Sequence, residues 1–138
     1  GNRVVIIGGG LVGCETGIFL GMNGKDVTVI EQQEIMAKDS NPFYRMAVNV
    51  QLEKNVTCIT DTRVIGIEAD RVNCIRANGE ESMVEADSII LAAGMRPDAE
   101  GLEQIAGLVQ EFYPVGDCVK PGQVMQAVAT GHYAGWRI

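Results

Sequence analysis

The sequence predicts an α/β fold of three layers, with a central parallel sheet and an antiparallel β-meander. Three observations carry this. A β-branched run feeds directly into a glycine-rich turn and then a helix, in RVVIIGGGLVGCETG at residues 3–17. A second strand, DVTVI, follows that helix, which makes strand–helix–strand in about 30 residues. Further on, three short segments of partly alternating character, 62–69, 71–77 and 80–85, break the strand–helix rhythm.

Taken in order, Arg3 to Ile7 reads as a strand buried on both faces. Residues 11–24 read as a helix in which Gly13, Gly17 and Gly21 recur every fourth position and line one face. A bare face lets a helix lie close on a sheet, and Gly24 supplies the stop. Asp26 to Ile30 is the second strand. Asn41–Pro42 offers a helix start, and residues 42–54 carry that helix with Phe43, Met46, Ala47, Val50 and Leu52 facing inward. Val56 to Ile59 is a third short strand. Within the meander, Asn78–Gly79 is a two-residue hairpin signal, and Glu68 to Arg71 makes a tight reversal. Ser88 to Ala92 returns as a buried strand and leads into the turn-rich AGMRPD. A helix is expected over 99–106, a last strand over 111–115 (EFYPV), and a helix from Gln123 to Ile138.

The chain has 138 residues, the size of one domain, and is 46% apolar, enough for one core. Eleven Lys and Arg against 18 Asp and Glu give a net charge of −7, which argues against a nucleic-acid partner. No apolar run of about 18 residues is present, so no membrane span is expected. No secretory leader is visible. The first strand begins almost at residue 1, as in a domain excised from something longer. Cys14, Cys58, Cys74 and Cys118 fit neither a CxxC nor a zinc pattern. The first three are expected to be buried free thiols in a reducing cytoplasm, with Cys118 more open in its loop.

The glycine turn carries the chemistry. A helix N-terminus presents unpaired N–H groups and a partial positive charge, and so attracts an anion. In the pattern Gly8-x-Gly10-x-x-Gly13, a Cβ at Gly8 would strain the turn. One at Gly10 would block a phosphate, and one at Gly13 would hold the helix off the sheet. The pattern alone is weak, but three contexts accompany it: a strand before, a helix after, and an acid at the end of the next strand. That acid, Glu31, follows Gly13 by 18 residues, where a carboxylate would accept both ribose hydroxyls and repel a 2′-phosphate. No arginine follows in EQQEIMAK, so NAD(H) is favoured over NADP(H). The expected pyrophosphate cradle is Gly8, Gly10, Leu11, Val12 and Gly13. Glu15, one turn into the helix, reads on spacing alone as solvated or as a helix-dipole partner.

Residues 4–31 resemble the NAD(P)-binding domain of the pyridine nucleotide–disulfide reductase superfamily, whose motif reads GGGxxGxE. The resemblance implies a Rossmann-like domain over 1–98 that binds NADH, with Glu15 close to the nicotinamide end. SIILAAGMRPD, residues 88–98, is similar to the segment that closes that domain, and implies that Ala93 and Gly94 lie beside the cofactor. YPVGDCVKPGQVMQAVATGHYAG, residues 113–135, resembles the C-terminal FAD motif, and implies that Gly116 and Asp117 belong to an FAD-binding strip over 99–138. GDCVKPGQVMQA is similar to the flavoprotein tail of the dienoyl-CoA reductase, enoate reductase and NADH:flavin oxidoreductase group. Gly17 stands where alanine is usual, and Asp98 where asparagine is common.

A second, earlier GxGxxG for FAD is absent. The resemblance therefore implies a piece of a flavin-dependent NADH oxidoreductase that passes hydride from NADH to FAD. The FAD-binding half and the substrate domain would be supplied by the parent chain, and the piece alone would be inactive. An apolar surface left for that half would permit homodimers. No catalytic acid–base residue and no metal site are expected. His132 reads as a helix-surface residue, and Phe43, Tyr44, Tyr113 and Trp136 as packing. Two alternatives stay open: a free-standing NAD-sensing or regulatory module, and a single site that takes FAD.

Overall fold

The computed structural model describes residues 1–138, which form two compact units, Gly1–Gly94 and Met95–Ile138. In the first unit, β1 (Arg3–Ile7) enters α1 (Leu11–Met22) through the glycine turn, and β2 (Asp26–Ile30) follows. α2 (Pro42–Asn55) starts where the sequence places it, with the Asn41 side chain accepting the Phe43 amide at 2.9 Å and proline in the first turn. Then come β3 (Thr57–Ile59), β4 (Thr62–Ile67), β5 (Arg71–Arg76), β6 (Glu81–Glu85) and β7 (Ser88–Leu91).

Two sheets result. The parallel one has the order β3-β2-β1-β7, and the antiparallel one the order β4-β5-β6. Both expected reversals form: Gly79 N–H donates to the Arg76 carbonyl at 2.9 Å, and Glu68 N–H to the Arg71 carbonyl at 2.9 Å.

The alternation along β1 explains the layering. Val4 and Ile6 join Val27 and Val29 in a core closed by Cys14 of α1 and by Val48 and Leu52 of α2. Val5 faces the other way, into a second core with Val72, Cys74 and Ala86 from the meander side. The parallel sheet is thus covered on both faces at β1, whose Val4–Ile7 is an unbroken apolar run. Each buried Val or Ile contributes about 1.5–3 kcal/mol.

Three expectations about packing change. In α2 the buried residues are Val48 and Leu52, while Phe43 (83% exposed), Met46, Ala47 and Val50 lie on the outer face. The stripe 43–46–47–50 has helical period, but contact with the sheet, not the periodicity, sets the helix rotation. Gly21 meets the Asn55 carbonyl at the end of α2 rather than the sheet, whereas Gly17 does lie on Val29 and Ile6, 3.1 and 3.5 Å from where its Cβ would stand. Cys58 is exposed, because β3 is a short strand at the sheet edge.

The second unit contains α3 (Ala99–Ala106), a 3-10 turn at Gly116–Cys118 and α4 (Val124–Gly135). Asp98 caps α3 by accepting the Gly101 amide at 3.0 Å, and Gln123 with Gln126 forms a capping box on α4. The strand expected at 111–115 does not form. Its extended composition is right, but this unit holds no other strand to pair with, and Pro114 has no N–H to donate. Trp136 is exposed and lies tilted against His132, with ring centroids 4.8 Å apart, rather than packing in a core.

Candidate functional site at the glycine turn

Sheet register builds the site. Ile7 of β1 pairs with Ile30 of β2 on one side and with Leu91 of β7 on the other. The next residue of each strand, Gly8, Glu31 and Ala92, therefore emerges at the same carboxyl edge. Gly8 N–H reaches the Ile30 carbonyl at 2.9 Å, and Ala92 N–H the Ile7 carbonyl at 2.8 Å, so the edge is laced shut up to the turn. β1 sends its chain to β2 on one flank while β7 arrives on the other. Such a reversal of strand order is where open α/β sheets leave a crevice.

The glycines of the turn have different reasons to be there. Gly8 has φ +110, and a side chain would strike the Ala92 carbonyl. Gly9 would collide with Met36 and Glu31, and Gly13 with the Gly8 carbonyl. Gly10 has an ordinary extended conformation, φ −66 and ψ 178, and no atom lies within 4 Å of where its Cβ would be. Nothing in the chain demands glycine at position 10. Gly10 also caps α1 without any side-chain hydrogen bond. The first helical bond runs from Cys14 N–H to the Gly10 carbonyl at 3.0 Å, so the amides of Leu11, Val12 and Gly13 point out of the helix end without partners in it.

Glu31 is tied into this turn. Its Oε2 accepts the Gly9 amide at 2.6 Å, and its Oε1 the Gln33 amide at 2.9 Å. A carboxylate has about four lone-pair directions, so each oxygen retains one for another donor. Glu15 is exposed and also hydrogen-bonded: Tyr44 of α2 donates its hydroxyl to Glu15 Oε1 at 2.7 Å, which raises the Tyr44 pKa. Ala93 and Gly94 follow β7 beside Gly8, and Gly94 has φ +90 with open space where a side chain would be. Gly8, Gly10, Leu11, Val12, Gly13, Glu31 and Ala93 thus share one edge of the first unit.

Gly116 and Asp117 belong to the second unit. There Gly116 N–H donates to the Thr130 hydroxyl of α4 at 2.9 Å, and Asp117 Oδ1 accepts the Gly122 amide at 3.2 Å.

Four residues of the first unit gain a role that pattern reading missed. Gly9, the middle of the three glycines, is the partner of Glu31. Met36 and Ala37 close over it, and Tyr44 holds Glu15. The unbroken GGG was the only signal available for Gly9. The other three come from segments that no motif marks.

Cavities lie elsewhere as well. One of about 560 Å³ is lined by Gln32, Gln33, Asp61, Arg63 and Arg76 among others. Arg63 pairs with Ile75 and Arg76 with Thr62, so the two arginines reach it from alternate positions of the β4–β5 ladder.

Residues 1–131 match the family described as pyridine nucleotide-disulphide oxidoreductase. The chain belongs to this family. Among its relatives are the bilirubin reductase of Mediterraneibacter gnavus, 38% identical over 96% of this chain, and the cinnamate reductase of Clostridium sporogenes, 30% identical over 93%. The NADH oxidase of Thermoanaerobacter brockii is 31% identical over 99% of the chain. The chain spans only 20% to 21% of the length of these three relatives. Among solved structures, a 2-naphthoyl-CoA reductase superposes over the whole chain with a TM-score of 0.86 at 28% identity, and the chain covers 21% of it. The α/β fold with its meander is therefore that of the pyridine nucleotide-disulphide oxidoreductases. No helix is long and apolar enough to cross a membrane.

Proposed function

We propose that the first unit is the NAD(H)-binding domain of a flavin-dependent oxidoreductase, and that the parent enzyme passes hydride from NADH to FAD. The observation that carries this reading is Gly10. The other three glycines of the turn are explained by the chain's own atoms, but the space beside Gly10, at the start of α1, is open. A pyrophosphate fits that space, because it needs several amides at hydrogen-bond distance and tolerates no methyl between.

The residues divide the work of binding. The amides at the start of α1, Leu11 to Gly13, hold the pyrophosphate in the partial positive field of the helix end. Glu31 keeps its remaining acceptor positions for the two hydroxyls of the adenosine ribose. The carbonyls and amides of Ala93 and Gly94 lie along the nicotinamide half. Glu15, steadied by Tyr44, stands nearest the nicotinamide end and orients it. The nicotinamide when bound supplies hydride chemistry, and the protein contributes position and electrostatics. No side chain of the first unit has to move a proton. Gly116 and Asp117 of the second unit are the residues that would hold the polar chain of a flavin. The reductases and the NADH oxidase among the relatives support the class of reaction, and their greater length agrees with a parent chain that supplies the rest.

Calorimetry with NADH, NADPH, FAD and AMP tests the reading on the chain as it stands. NADH should bind, NADPH more weakly and FAD weakly. Gly10→Val should abolish NADH binding with the fold intact. Tight FAD binding, or NADH binding that survives in Gly10→Val, would sink the proposal.

A further inference from the structure

We infer that Ala37 and Cys14 are positioning residues, which turn the Gly9–Gly10 peptide so that its N–H faces the ligand side of the turn. The inference rests on the NADH site proposed above and adds a donor to it.

The Gly9 carbonyl is held by two donors. That oxygen accepts the Ala37 amide at 2.7 Å and the Cys14 thiol at 3.2 Å. Cys14 is 0% exposed and Ala37 1%, so the carbonyl points into the protein. In a trans peptide the C=O and the following N–H lie on opposite sides of the bond. With the Gly9 carbonyl held inward, the Gly10 N–H must point outward. It emerges beside the open space at Gly10.

The clasp is built at a conformational cost. Ala37 has φ +49, a region that residues with a Cβ rarely occupy. Hydrogen bonds on both sides hold it there. Its N–H goes to Gly9, and its carbonyl accepts both the Ser40 amide at 3.0 Å and the Ser40 hydroxyl at 2.7 Å. A strained residue fixed from both ends is a sign that its geometry is used. Met36 fills the space above Gly9 from the same loop, and a Cβ there would also lie 2.8 Å from the Glu31 Cβ, so something would have to shift. Cys14 is a donor by geometry, its thiol 3.2 Å from the Gly9 carbonyl, and burial pushes that thiol up to about 11, further from ionisation.

Two measurements on the 138-residue chain test the clasp. In ligand-free protein, NMR hydrogen exchange should find the Gly10 amide exchanging as fast as a solvent-facing group, and NADH should slow it. Gly10 protection without ligand overturns the inference, whether or not NADH binds. In titrations, Cys14→Ala should weaken NADH about two- to fivefold, the value of a weak sulfur hydrogen bond. Cys14→Ser, which keeps a donor, should recover it. Cys74→Ala, an equally buried thiol whose sulfur faces the Val72 carbonyl in the meander, should leave NADH affinity unchanged. If Cys14→Ala binds NADH like the parent while Gly10→Val does not bind, the clasp is wrong and the site is right. Equal losses in the two alanine variants, or no recovery in Cys14→Ser, make Cys14 a packing residue and also overturn the inference. Should either Cys14 variant fail to fold, the Gly10 exchange rate decides.

Discussion

Glu31 accepts the Gly9 amide at 2.6 Å, which ties the end of the second strand to the middle of the glycine turn. A side chain read from the sequence as a ribose ligand therefore also shapes the glycine turn. Glu31→Ala should cost NADH binding about 1.5–3 kcal/mol, the scale of a hydrogen bond to a charged group. The loss should extend to NADH analogues that lack the ribose 2′-hydroxyl, because the turn itself loosens. Calorimetry that found unchanged affinity in Glu31→Ala would remove Glu31 from the site.

Gly13 and Gly10 should separate stability from binding. A Cβ at Gly13 meets the Gly8 carbonyl and lies 3.3 Å from the Ala92 side chain. Gly13→Ala should therefore destabilise the fold by about 1–3 kcal/mol through overpacking. Gly10→Ala has open space and an unstrained φ, so its melting should shift by no more than about 0.5 kcal/mol, with the loss confined to NADH. Thermal melts by circular dichroism beside titrations would show the split. Equal destabilisation of both variants would contradict the packing described.

The opposite end of the sheet predicts an acid limb. Asp87 accepts the Asn2 and Arg3 amides at 3.0 and 2.9 Å and pairs with the Arg3 guanidinium, which also meets Glu85. These partners hold the Asp87 carboxyl well below the usual carboxylate range, with the Arg3 side chain the largest cause. A depressed folded pKa means that the stabilisation is present above the unfolded value and lost as pH falls toward the folded one. Stability should decline from about pH 4 downward. Asp87→Asn should be less stable at neutral pH and show a flatter acid limb. An identical limb in both proteins would remove Asp87 as the cause.

Thiol chemistry should follow burial. Cys58 and Cys118 are exposed, and Cys14 and Cys74 are buried. Iodoacetamide on native protein should modify the first two and spare the others until denaturant is added, as mass spectrometry would record. The raised Cys14 value carries the opposite sign to Asp87. Its contribution is complete below the ordinary thiol pKa near 9 and is lost as pH rises toward about 11. Early labelling of Cys14 would show that the turn opens.

Much of the first unit was legible because its signals are local. β-branched runs bounded by turn residues mark Arg3–Ile7 and Asp26–Ile30 to the residue, and Asn–Pro and Asn–Gly announce their helix and hairpin. Helix rotation was not legible. Phe43, Met46 and Val50 make as good an apolar stripe as any, yet Val48 and Leu52 are the residues that dock. Nor could composition show that Glu111 to Val115 has no strand to pair with in its own unit.

By itself the sequence determined that a strand, a glycine turn and a helix would occur together, and that an acid would follow at the end of the next strand. These depend on neighbours a few residues away, where backbone sterics and periodicity decide. Only the tertiary structure decided which glycines the chain needs for itself and which it leaves clear. It alone brought Ala37, from a loop without a motif, against the Gly9 carbonyl. Such contacts depend on register between strands and on the closing of a loop, and no local pattern encodes either.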